Sequence, residues 1–145
     1  MRIAPRRYAP EAFSGSDLDA PTRVVTETVA HLGPRNHVIF GLAPAEPGFP
    51  QALISIKTDR FGLVNEQILQ IPYPGYESPP EDLFRSLGLS LADGWDILRW
   101  KADDFVAVTA PSYTGPQELV EFAVGASALL LEADPGIAWE LRFVG

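Results

Sequence analysis

Few side chains in this chain could carry out chemistry: two histidines, nineteen carboxylates, scattered serines and no cysteine. A serine nucleophile needs a sharp strand–turn–helix setting, and Ser14-Gly15-Ser16 lies outside any such pattern. Ser55, Ser78, Ser86, Ser90, Ser112 and Ser127 fall on strand faces, helix starts and helices. His31 and His37 are separated by Gly33-Pro34, whereas a metal pair on one helix sits at i and i+4. His31 suits a helix C-terminus, where the dipole favours a cation, and His37 suits a strand edge. The lack of cysteine excludes disulfides, thiolate metal sites and a cysteine nucleophile.

The carboxylates Asp93, Asp96, Asp103 and Asp104 crowd one short stretch but lack the alternation, glycine and final glutamate of a calcium loop. A solvated turn is the simple reading. An acid/base pair assembled in space stays open. The glycines form neither a P-loop nor a G-x-G-x-x-G run, so no nucleotide cofactor is expected, and no other cofactor or metal either. Aromatic residues are the remaining lead. Trp95 and Trp100 are an odd number apart, so a regular strand turns them to opposite faces. Tyr73 and Tyr76 stand in a Pro/Gly connector. Exposed Trp and Tyr anchor interfaces well. The candidate partner-binding set is therefore Trp95, Trp100, Tyr73, Tyr76, Asp103 and Asp104, with core packing as the competing role for each aromatic.

The elements that must position these residues follow from periodicity and punctuation. Residues 1–18 have no clean period and read as an arm; residues 19–145 read as one domain. Asp19 is a candidate N-cap with Pro21 in the first turn, and Val25, Val29 and Leu32 recur at helical spacing until Gly33-Pro34. Strands are expected over 37–42, 52–57 and 63–71, the last two joined by Asp59-Arg60-Phe61-Gly62. Alternation of Ile54 and Ile56 with Ser55 and Lys57 makes one sheet face wet. Ser78-Pro79-Pro80-Glu81 opens a short helix at capping-box spacing, and Thr114 through Gln117 repeats the pattern for a long helix over 115–133. That helix turns Leu119, Phe122, Ala126, Leu129 and Leu130 inward, and its small residues Ala123, Gly125, Ala126, Ser127 and Ala128 permit close approach by a sheet or a second copy. Between the two helices lies a hairpin, 97–100 and 105–109; a last strand covers 138–144. The order α-β-β-β-α-β-β-α-β describes an α+β fold, an antiparallel sheet packed with helices.

With 145 residues the chain can bury about 70% of its unfolded surface. No apolar run approaches the ~20 residues of a membrane span, and the basic start lacks the apolar stretch of a signal peptide, so the cytoplasm is the expected compartment. Net charge is −8, and setting aside Arg2, Arg6 and Arg7 leaves −11 on the rest. Such a body repels phosphate backbones, which argues against nucleic acid.

The stretch 95–133 joins the 97–100 and 105–109 hairpin to a helix containing Glu118-Leu119 and Leu129-Leu130-Leu131. With the preceding helix and three strands, it resembles the type III secretion chaperone-like fold shared by YbjN-type proteins. That resemblance implies a homodimer that binds extended segments of other proteins. The expectation is thus a non-enzymatic protein-binding module, chaperone-like or regulatory. An immunity or antitoxin protein masking a basic partner, and a small-ligand binder or carboxylate enzyme, are the alternatives.

Overall fold

The computed structural model describes residues 10–134 and 136–144. Among them the order is β1 (Glu11–Ser14), α1 (Asp19–Ala30), β2 (His37–Pro44), β3 (Ala52–Thr58), β4 (Val64–Pro72), α2 (Pro80–Ser86), β5 (Asp96–Lys101), β6 (Phe105–Ala110), α3 (Pro116–Leu130) and β7 (Ala138–Phe143). The expected α+β architecture holds. One antiparallel sheet runs β1-β7-β2-β3-β4-β6-β5.

One register row shows how the core is built. Phe143, Phe40, Ile54, Leu69, Val108 and Ile97 stand side by side across six strands. All but Phe143 and Ile97, which are half-buried, are fully enclosed. α3 crosses this face over β2, β3 and β4 as it carries the chain from β6 to β7. Its Leu119, Ala123, Val124, Ala126 and Leu130 are buried, and α1 packs against it through a core that includes Val25. The alternate row places Ile39, Ser55, Ile68 and Thr109 on the other face, beside Lys57 and Glu66, which pair at 3.4 Å. This is the wetter face that the alternation of β3 predicts.

Three local expectations change. Residues 11–14, assigned to the arm, form β1. The edge of β7 recruits them, and Phe13 stacks on Trp139 at 6.4 Å between ring centres. Arg2, Arg6 and Arg7 lie outside the described residues. Asp19 is the first helical residue of α1 rather than its cap, where its charge still favours the dipole. Neither capping box forms: Pro79 and Gly115 occupy the cap positions of α2 and α3 without side-chain bonds. Pro80 and Pro116 open these helices instead, since proline lacks an N–H that the first turn would leave unpaired. No helix among the described residues is long and apolar enough to cross a membrane.

Candidate functional site

The aromatic residues that stand out in the sequence divide into two groups. Tyr73 is fully buried, with its ring centre 5.2 Å from that of Tyr76 and 6.1 Å from that of Trp100, the latter pair edge-to-face. Its hydroxyl donates to the Ser78 carbonyl at 2.6 Å, and the Tyr76 hydroxyl donates to Leu130 O at 3.0 Å. Burial chiefly, then Glu81, Tyr76 and Asp82, raises the Tyr73 pKa above its ordinary value, so the phenol stays neutral. Both hydroxyls are engaged by backbone carbonyls, which removes them as free acid/base groups.

Asp103 and Asp104 serve the same cluster. Asp103 adopts φ 58°, its N–H donates to Tyr76 O at 2.8 Å, and its carboxylate accepts the Gly75 N–H. The Tyr73 N–H donates to Asp104 O at 3.0 Å, and the Asp104 side chain meets Lys101 at 3.7 Å on the surface. The acidic turn therefore straps the 72–76 connector to the β5–β6 hairpin. Tyr73 is a core residue, Tyr76 and Trp100 are half-buried, and the two aspartates are exposed structural ties.

The opposite-face expectation for Trp95 and Trp100 fails for a geometric reason. The β5–β6 register passes from Ile97↔Val108 to Arg99↔Ala107, leaving Leu98 as a bulge. One extra residue shifts the alternation, so Ile97 and Trp100 share the helix-covered face. Trp95 precedes β5, is buried, and meets Phe122 of α3 edge-on at 5.2 Å. It packs in the core and presents little surface of its own.

What Trp95 does form is the wall of a groove. The groove, about 370 Å³, runs between α3 and residues 89–95. Leu89, Ala92, Trp95, Phe122, Ala126 and Leu129 give it apolar walls, and Glu118 and Glu121 stand at one end. Helical spacing explains the composition. Glu121, Gly125 and Leu129 follow one another at i+4 on the exposed side of α3, and Glu118, Phe122 and Ala126 form the adjacent row. Leu129, expected inward, is 44% exposed. An Ala/Leu-rich helix carries leucines on both sides of the buried face, so periodicity alone did not separate Leu129 from buried Leu130.

Gly125 is the most telling residue of the groove. A mid-helix glycine costs about 1 kcal/mol relative to alanine. Among the described residues, its chain neighbours and its own helix backbone apart, nothing lies within 4 Å of where its Cβ would stand, so no packing among them requires a glycine. Its effect is to leave the groove open. The charges at the groove end also make no ion pair among the described residues. The ion pairs among the described residues are Lys57–Glu66, Asp82–Arg85, Lys101–Asp104 and Glu140–Arg142, and none involves Glu118 or Glu121.

Two other places collect polar chemistry. On the open sheet face His37 Nε2 lies 2.7 Å from Ser55 Oγ, a pairing of strands that sequence spacing did not bring together. Burial, then Lys57, lowers the His37 pKa, against an opposing pull from Glu66. The pair stands on the wetter face of the sheet, where His37 pairs with β3 and Ser55 lies within both the β2–β3 and β3–β4 ladders. A polar hollow of about 550 Å³ between the starts of α1 and α3 is lined by Asp19, Thr22, Arg23, Gln117 and Glu121. Among the described residues no three His, Asp or Glu side chains converge as metal ligands. No family model matches the chain, and neither a curated protein nor a solved structure matches it.

Proposed function

We propose that this chain is a non-enzymatic protein-binding module of the cytoplasm, chaperone-like or regulatory, that takes an apolar segment of a partner into the α3 groove. The observation that carries the reading is Gly125: a helix interior that gives up stability where the fold gains nothing, at the floor of an apolar groove. Proteins commonly sit below their stability optimum at sites kept for function. Glu118 and Glu121 favour a segment flanked by lysine or arginine, and the net charge of −8 steers such partners toward the molecule. The resemblance to type III secretion chaperone-like proteins points to the same class, since those proteins hold extended segments of others. An immunity or antitoxin role is the variant in which the partner's basic surface is itself the target.

Gly125→Leu tests this reading. The new side chain fills open space in the groove, and the substitution raises helix propensity. The expected result is an unchanged fold, equal or higher thermal stability, and loss of the partner recovered from native extract by the unsubstituted chain. Retention of that partner by Gly125→Leu contradicts the proposal.

A further inference from the structure

The surface feature that best matches the groove is on the chain itself. Phe61 and Leu63 at the β3–β4 tip are 70% and 65% exposed, two large apolar side chains at one hairpin end. The tip is held in shape rather than loose. Asp59 Oδ1 accepts the N–H groups of Phe61 and Leu63 at 2.8 and 3.0 Å, and the Asp59 N–H donates to Leu63 O at 2.8 Å. The Arg35 N–H donates to Asp59 O at 2.8 Å, tying the tip to the α1–β2 loop. The Arg60 guanidinium lies 4.7 Å from the centre of the Phe61 ring, and among the described residues it pairs with no carboxylate. An apolar pair with an adjacent free cation is the chemistry that an apolar groove ending in two free glutamates accepts.

Tip and groove also lie at the same end of the molecule. Gln67, near the start of β4, donates to Pro111 O and Thr114 O at 2.9 and 3.1 Å, immediately before α3. A Cβ on Gly94 would lie 2.9 Å from Pro111 and 3.4 Å from the Tyr113 hydroxyl, so this loop packs on the turn that leads to Trp95. Tyr113, on this loop, is 82% exposed. A shared end allows two copies related by a two-fold axis to exchange tips reciprocally, which closes the assembly instead of propagating a filament.

We propose, resting on the groove reading above, that the groove receives the β3–β4 tip of a second copy of this chain, with Phe61 and Leu63 between α3 and residues 89–95 and Arg60 against Glu118 and Glu121. A groove of about 370 Å³ is within the range of small binding pockets and has room for these side chains. The tip is already ordered, so docking freezes few new degrees of freedom. The exchange is modest in area and gives a reversible dimer rather than an obligate one.

Sedimentation equilibrium on the full chain tests it. The unsubstituted chain is expected to show a monomer–dimer equilibrium. Phe61→Asp and Leu129→Arg, both at exposed positions, each raise the dissociation constant at least about tenfold while thermal unfolding stays near that of the parent. Mixing the two variants restores a mixed dimer tighter than either alone, because one intact tip meets one intact groove. Arg60→Glu weakens the dimer, and adding Glu118→Lys with Glu121→Lys recovers it. A chain that stays monomeric at every concentration, or a dimer indifferent to Phe61→Asp, overturns self-docking. Neither result decides the groove's use by another protein, which Gly125→Leu reads separately through partner loss.

Discussion

The two aromatic groups of this molecule have similar composition and opposite roles. Around Tyr73 every hydroxyl finds a carbonyl, and three backbone N–H donors, one of them onto the Asp103 carboxylate, bind the β5–β6 turn to the connector. Around Phe122 and Trp95 the rings pack edge-on and then stop, leaving Leu129 and Gly125 to line the groove. The first arrangement uses aromatic surface to hold the chain in place. The second leaves apolar surface and two charges unpaired, and a surface that the fold does not consume is available to a partner. Aromatic richness alone therefore does not tell the two regions apart; the satisfaction of neighbouring polar groups does.

Substitutions separate the two regions, and the largest effect belongs to the first. Tyr73→Ala removes a fully buried ring and costs about 3–5 kcal/mol in denaturant unfolding. Leu129→Ala, at a smaller residue that is 44% exposed, stays within about 0.5 kcal/mol of the parent. Equal losses at the two positions would erase the distinction. Asp103→Ala comes next, at about 2 kcal/mol, because it removes the bond to the Gly75 N–H and forces alanine into a left-handed conformation at φ 58°. Asp103→Asn keeps both features and recovers most of the loss. Gly125→Ala is expected to move the other way, raising stability by up to about 1 kcal/mol.

Two smaller effects depend on pH. The lowered pKa of His37 means that the unfolded chain takes up a proton at higher pH than the folded one, so stability is full above about 6.5 and falls as pH drops through that value. His37→Gln flattens that segment of the stability profile. The raised pKa of Tyr73 has the opposite sign, with stability full below about 10 and lost as pH climbs past it. Tyr73→Phe removes that alkaline slope and costs about 1 kcal/mol at neutral pH for the hydrogen bond to Ser78.

Much of the fold is legible in the sequence because its elements carry their own signals: helical spacing in α1, alternation in β3, and the Asp59–Gly62 turn. What was not legible depends on distant partners. β1 is four residues long and exists because β7, more than a hundred residues later, offers an edge. Thr114 and Ser78 look like helix caps, yet their carbonyls accept bonds from Gln67 and Tyr73 while their side chains leave the cap positions unused. The Trp95–Trp100 parity argument assumed an unbroken strand, and the bulge at Leu98 undid it. The groove was hidden for the same reason. It needs residues 89–95 beside α3, and no local pattern announces that two segments so far apart will leave a space between them.

A photo-crosslinking residue placed at position 129 in the groove, and in a second protein at position 66 on the open sheet face, tests the central claim most directly. Both sites are solvent-accessible, so both labels leave the core untouched. The account predicts that irradiation in native cells yields a discrete protein adduct from position 129, which Gly125→Leu abolishes, and none from position 66. Adducts from position 66 alone, or adducts at 129 that persist with the groove filled, would contradict it.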